Sequence, residues 1–305
     1  MENLLLAGFG PMGRAHFASF RRLFSRRGNG RWAGVVDPVL SPAGESALEG
    51  TGVPFFRTLD EALAAGRPDG AVVATTTEAH YDAARRLLSD GIPVLVEKTF
   101  CGNLALAEEL VRLAEEKDLP LLPGFTEHSH LALGVLDGAV DRAKIRSVEL
   151  RRLTPKKFRP HSIDPLEDLL VHDLEHLVWL LPGAKWSVER CVRDGAFGGV
   201  DVVRAELVSD TGVRADAAVG WSDAPDSERR LGIGLSDGRF EADWFDGSFF
   251  GSAPARFGAC RNDPLSAQSA LFLDSPGGGF AGTRGRVECA LSALRLLDEC
   301  RRARG

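Results

Sequence analysis

The sequence predicts an α/β plus α+β protein of two domains. Residues 1–124 form a doubly wound parallel sheet, and residues 125–305 form a domain built on an open, mostly antiparallel sheet. Three observations carry this. Short apolar runs alternate with amphipathic segments as far as Gly124, as parallel strands wrapped by helices do. Beyond Gly124, strand-like runs follow one another with little helix between them. A chain of 305 residues also exceeds one ordinary α/β domain.

In the first domain the apolar runs lie at residues 3–7, 32–36, 53–56, 70–75, 94–97 and 120–124. Segments such as 78–90 and 104–117 place Ala, Leu and Val at steps of three and four with charges opposite, the pattern of surface helices. In the second domain strands are expected at 145–153, 200–209, 213–221, 230–235 and 239–244. The turn signals Ser209-Asp210-Thr211-Gly212 and Ser236-Asp237-Gly238 join some of them. Helices are expected at 165–181 and 284–303, the last packing back toward the first domain. Residues 247–282, rich in Gly, Pro, Ser and Ala, read as a long loop with a short helix at 264–271.

Composition excludes several classes of function. With 44% hydrophobic and 26% charged residues the chain is globular, and a net charge of −6 offers a polyanion no positive field, so no nucleic-acid partner is expected. The first residues carry no basic segment, and their apolar run is too short for a signal core or membrane span. A cytoplasmic protein without a membrane partner is expected. The cysteines (Cys101, Cys191, Cys260, Cys289, Cys300) are odd in number and lack CxxC spacing, which argues against disulfides and structural zinc. They read as reduced packing residues, and Tyr81, the only tyrosine, as a packing residue too.

The strongest motif is Gly8-Phe9-Gly10-Pro11-Met12-Gly13. With 34 glycines, a lone GxGxxG is weak. Here it follows a strand and opens a helix, so glycine backbone can approach a pyrophosphate whose charge meets the helix amino terminus. The second strand ends at Asp37, where an acid would accept hydrogen bonds from an adenosine ribose. These are the elements of the Rossmann dinucleotide-binding fingerprint. Asp37 favours NAD because it would repel the 2′-phosphate of NADP, while Arg14 beside the loop keeps NADP open. The bland alternative is a glycine-rich turn serving some other ligand.

Two further segments carry ionisable groups. Lys98 emerges from the end of the run Val94-Leu95-Val96-Glu97, where open parallel sheets bind ligands; it could equally be a solvated lysine. On the helix at 165–181, Asp168, His172, Glu175, His176 and Trp179 recur at steps of three or four and share a face, with Leu170, Leu174, Leu177, Val178 and Leu181 on another. An aspartate four residues from a histidine suits general acid/base work. His172 and His176 could also ligate a metal with Glu167, Asp168 or Glu175, but no HExxH is present and no metal is expected. The bland reading is a solvated helix face.

Together these residues resemble the glucose-fructose oxidoreductase and inositol dehydrogenase family, Gfo/Idh/MocA. The matching pieces are the glycine loop, Asp37, Thr75-Thr76-Thr77 with His80, Glu97-Lys98-Thr99 with Asn103, and Asp168-Leu169-Leu170-Val171-His172 followed by Glu175 and Trp179. The resemblance implies an NAD(P)-dependent dehydrogenase or reductase acting on a secondary alcohol or ketone of a sugar, polyol or sugar-derived, nucleotide-linked molecule. It places Gly8 to Gly13, Asp37, Thr75 to Thr77, His80, Glu97 and Lys98 at the cofactor. His172 would move the hydroxyl proton, Lys98 would stabilise charge on that oxygen, and Asp168 would orient both. It also implies a homodimer or homotetramer formed through the second sheet, where Val202, Ala205 and Leu207 could cover a partner.

The sequence departs from the family at Thr99, where proline is usual, and at Ile163 to Glu167, where a glycine-rich run is common. Substrate-side candidates are Glu127, His128, Glu175 and His176. Lys156, Lys157, Arg159 and His161 form a basic cluster suited to a phosphate or carboxylate, or simply a solvated loop. Other readings are reduction of an imine or non-sugar carbonyl, redox-neutral chemistry on tightly held NAD, and a non-catalytic dinucleotide-binding regulator.

Overall fold

The computed structural model describes residues 1–129, 140–156, 164–195, 201–223, 226–243, 248–251 and 263–303. The chain divides into two compact units, Met1–Ser129 with Asp263–Leu291, and His130–Asn262 with Ser292–Gly305.

The first unit is built on six parallel strands: β1 (Asn3–Ala7), β2 (Arg31–Val36), β3 (Phe55–Phe56), β4 (Gly70–Val73), β5 (Val94–Glu97) and β6 (Leu121–Gly124), in the order β3-β2-β1-β4-β5-β6. β4, β5 and β6 are buried at every residue, which is why they read as continuous apolar runs without alternation. Helices α1 (Pro11–Arg27), α2 (Pro42–Leu48), α3 (Leu59–Ala65), α4 (Thr77–Ser89) and α5 (Leu104–Glu116) complete the winding. Strand order reverses between β1 and β4, so the helices that follow these neighbours lie on opposite faces of the sheet and a crevice opens at the strands' carboxyl ends.

Aromatic packing pins α1 to the sheet. Phe17 stacks on Trp32 at 5.7 Å, Phe20 meets Trp32 edge-on, and the Trp32 indole N–H donates to the Phe17 carbonyl. The short helix expected at 264–271 is present and runs three residues further, as Pro264–Asp274, which belongs to this unit. Ser19 of α1 lies 3.2 Å from the hydroxyls of Ser266 and Ser269, and Arg27 forms a two-pronged pair with Asp274.

The second unit is a seven-stranded sheet of β7 (Ile145–Pro155), β8 (Trp186–Asp194), β9 (Val202–Ser209), β10 (Arg214–Ser222), β11 (Glu228–Leu235), β12 (Gly238–Asp243) and β13 (Ser248–Gly251). Its order is β13-β12-β11-β7-β10-β9-β8, and only β7 and β10 run parallel. Strands β8 and β13 escape sequence reading. In β8 only Trp186 and Cys191 are buried, and a register shift between Val188 and Arg190 breaks the alternation that would have marked it.

The sheet has one apolar face, with Val148, Leu150, Ala205, Leu207, Ala215, Ala217, Leu231 and Ile233 all buried. Ala205 and Leu207 therefore serve the unit's own core rather than a partner, and Val202 alternates onto the opposite face with Arg204 and Glu206. That face is ionic. Arg151 pairs with Glu149 at 2.9 Å, and Arg239 with Glu149 at 3.1 Å and Glu241 at 2.6 Å. The expected helix at 165–181 is present as a wide π turn, Leu166–Leu170, running into an α-helix, Val171–Leu180. The unit boundary falls within the closing helix, Arg284–Arg302.

Candidate functional site

In the first unit the glycines of the loop have different reasons to be glycine. Gly8 has φ +92°, and a Cβ there would overlap the backbone of Ala74 and Thr75, so the β1 and β4 loops touch. A Cβ on Gly13 would overlap the Gly8 carbonyl, so the side-chain-free residue lets α1 close on β1. Gly10 differs. Its backbone is ordinary (φ −66°, ψ −169°), and a Cβ would meet nothing within 4 Å. None of the described residues requires glycine there, whereas a group lying against the loop would.

Helix capping supports the same reading. Ser41, Thr58 and Asn103 cap α2, α3 and α5 with side-chain oxygens that accept from Gly44, Glu61 and Leu106 N–H. The N-caps of α1 and α4, Gly10 and Thr76, make no such bond. These two helices begin at the switch point, and their amino-terminal N–H groups and positive dipole ends suit an anion. The residues thus fit a dinucleotide's pyrophosphate. Gly10→Val is expected to weaken NADH binding at least about tenfold by blocking that approach, with little change in melting temperature. Gly8→Val is expected to lower stability itself, because the fold has no room for the side chain. Fluorescence titration and thermal unfolding separate the two outcomes.

Asp37 follows β2 directly, with Oδ2 accepting from Phe9 N–H at 2.7 Å and Oδ1 from Val39 N–H at 3.0 Å. The carboxylate is braced by the loop it faces and retains lone pairs for hydroxyl donors. Arg14 turns onto the same loop, donating from Nη1 to the Phe9 carbonyl at 3.1 Å. Thr75 and Thr77 are half-buried and Thr76 is exposed at the start of α4. His80 is buried, with Nε2 3.1 Å from the Thr75 carbonyl, so it holds the loop from beneath.

Burial, the chief cause, pushes the His80 pKa below its ordinary 6.5. A depressed folded value means that the unfolded chain binds the proton first, so the stability tied to the neutral ring is complete above about pH 6.5 and declines as pH falls. His80→Gln should therefore lose less stability than wild type between pH 7.5 and 5.5, as read from urea midpoints. Equal losses would remove His80 from this role.

Glu97 closes β5 and is 5% exposed, and Lys98 follows it, half-buried, at the carboxyl edge of the sheet. The Lys98–Thr99 peptide is cis although residue 99 is not proline. Sequence reading missed His16, which is fully buried with Nε2 2.7 Å from Glu97 Oε1. Its spacing from Gly13 and Phe20 on the inner face of α1 was the available signal.

In the second unit, Asp168 sits in the π turn and His172 on the following helix, both half-buried. Such turns recur at functional sites because they realign side chains four and five residues apart. The π turn is tied down by Arg301, which donates to both oxygens of Glu167 at 2.8 and 2.6 Å. Glu175 and His176, expected at the substrate, are only 1% and 3% exposed. The helix is buried around most of its circumference, leaving Glu167, Asp168, Leu169, His172 and Trp179 as its accessible residues. Trp179 is covered by the Arg142 guanidinium at 4.8 Å.

The remaining candidates are dispersed. Glu127 is half-buried in the short turn Thr126–Ser129 of the first unit; the His128 side chain, Lys157, Arg159 and His161 lie outside the described residues. Lys156 is 3.1 Å from Asp223 and 3.8 Å from Asp201, so its charge is already balanced and does not by itself make an anion site. Among the described residues no group of three or more His, Cys, Asp or Glu could hold a metal ion.

Comparison with known proteins adds to this geometry. Residues 3–125 match the model of an oxidoreductase family with an NAD-binding Rossmann fold. A UDP-N-acetylglucosamine 3-dehydrogenase of Acidithiobacillus ferrooxidans is 32% identical over 214 residues, 70% of this chain and 60% of that relative. The rhizopine catabolism protein MocA of Rhizobium meliloti is 32% identical over 183 residues, 57% of this chain and 56% of that relative. These sequence matches span less than two thirds of either relative. A solved structure of the Acidithiobacillus enzyme aligns with TM-score 0.84 at 24% identity, covering 98% of this chain and 97% of that one. Residues 3–125 carry the NAD-binding Rossmann domain of the Gfo/Idh/MocA oxidoreductase family.

Proposed function

We propose that this chain is an NAD(P)-dependent oxidoreductase that interconverts a secondary alcohol and a ketone on a sugar, a polyol or a nucleotide-linked sugar. The observation that carries the reading is the pair of uncapped helices at the switch point, with Lys98 one strand away at the same edge of the sheet. The α1 and α4 amino termini hold the pyrophosphate, and Asp37 takes the ribose hydroxyls, favouring NAD. When bound, the nicotinamide accepts or supplies the hydride. His172 takes the proton from the substrate hydroxyl or returns it, Asp168 orients the imidazole, and Lys98 stabilises negative charge on the oxygen.

The substrate class is supported by the names of the relatives, a UDP-N-acetylglucosamine 3-dehydrogenase and, at 27% identity over 191 residues, an inositol 2-dehydrogenase of Leifsonia xyli. The proposal includes a cytoplasmic homodimer or homotetramer formed through the ionic face of the second sheet. A monomer by light scattering would contradict that assembly.

The activity is tested by following absorbance at 340 nm with NAD or NADP against UDP-N-acetylglucosamine, myo-inositol and their relatives. Reduction of cofactor by at least one is expected. Saturable NADH binding without turnover across the panel would instead mark a dinucleotide-binding regulator.

A further inference from the structure

The His16–Glu97 pair lies beneath the cofactor loop, and its cost in burial asks for an explanation. Glu97 is 5% exposed and His16 is 0% exposed. Joining a helix to a sheet needs only apolar packing, and a buried carboxylate is retained at a desolvation penalty unless donors meet it. Glu97 has two. His16 Nε2 lies 2.7 Å from Oε1, and the backbone N–H of Lys98 donates to Oε2 at 3.3 Å. His16 Nδ1 has no hydrogen-bond partner among the described residues, so Nε2 is the ring nitrogen that engages Glu97.

The neighbours leave the carboxylate little freedom. A Cβ on Gly124 of β6 would lie 2.6 Å from Glu97 Cα, so the adjacent strand presses against this residue. His16 belongs to α1, whose first turn carries the phosphate loop. A chain of contacts therefore runs from that helix through His16 to Glu97, and from Glu97 to the peptide that presents Lys98.

We propose that His16 and Glu97 are positioning residues for Lys98: the imidazole fixes the Glu97 carboxylate, which holds the peptide that presents the Lys98 side chain. The inference rests on Lys98 acting in catalysis but is tested apart from it. His16→Phe fills the space and removes the donor. It is expected to lower kcat about 10- to 100-fold, with KM for the cofactor within about threefold, since misplacing one polar group costs rate rather than cofactor affinity. His16→Gln, whose amide can donate to the carboxylate, should recover most of the loss.

A second readout needs no turnover. In cofactor-free protein, acylation of Lys98 by acetic anhydride is measured by mass spectrometry relative to the exposed Lys117 and Lys185. Releasing the peptide that carries it should expose the half-buried Lys98 amine, so that it reacts at least about threefold faster in His16→Phe and Glu97→Gln, and near the wild-type rate in His16→Gln. If His16→Phe does not fold, Glu97→Gln, which keeps the shape of the side chain, carries the labelling test. Unchanged Lys98 labelling in the folded variants overturns the inference, whether or not melting temperature falls. Full activity of Lys98→Met would instead overturn the catalytic role of the lysine, leaving the labelling result to judge the pair.

Discussion

His172→Ala is expected to lower kcat by about 10²- to 10⁴-fold, the usual contribution of a positioned general acid or base. The residue is half-buried and among the accessible residues of its helix, so truncation leaves the surrounding core intact and the effect should fall on rate. NADH affinity should stay within about twofold, because the proposed cofactor groups all belong to the other unit. Asp168→Asn should cost less, because it retains a hydrogen-bonding group while removing the charge that favours the imidazolium. Steady-state kinetics at 340 nm read both effects, and an unchanged kcat in His172→Ala would remove the histidine from the chemistry.

The largest effect on stability is expected from Arg152→Leu. Arg152 and Asp173 are buried, and the guanidinium donates to Asp173 Oδ1 from Nε at 3.0 Å and from Nη2 at 2.7 Å. Removing the arginine leaves a carboxylate in the core without its cation, at a cost of about 3–5 kcal/mol. Replacing both residues with leucine should recover much of this loss, since the uncompensated charge leaves with its partner. Asp173 adjoins His172, so the single variant should also lose activity at temperatures where it remains folded. Urea unfolding of the two variants gives the comparison, and a single variant within about 1 kcal/mol of wild type would contradict the account.

Much of this arrangement was legible before any coordinates. The loop from Gly8 to Gly13, Asp37, Lys98 and the pair Asp168 and His172 were all identifiable, because each combines a residue type with a position at a strand end or one helical turn away. Alternation also located most of the second sheet. It failed in β8, where a register shift puts charges on both faces, and it assigned Ala205 and Leu207 to a partner surface when they belong to the core. Helical spacing, and for Glu175 the resemblance as well, brought Glu175 and His176 toward the substrate. A helix buried on nearly all sides hides such residues, and periodicity does not report how many neighbours surround a helix.

Two features needed coordinates. Thr76 is a good capping residue by type, so only the hydrogen bonds show that its side chain does not cap α4. His16 looked like an ordinary side chain on the inner face of α1 until its nitrogen was found against Glu97.

The account is tested most directly by following the hydride. With NADH deuterated at C4 and a keto-sugar that the enzyme reduces, the account predicts that deuterium appears on the carbinol carbon of the product, matching cofactor oxidised one for one. Oxidation with the label lost to water, or product formed without deuterium, would contradict it.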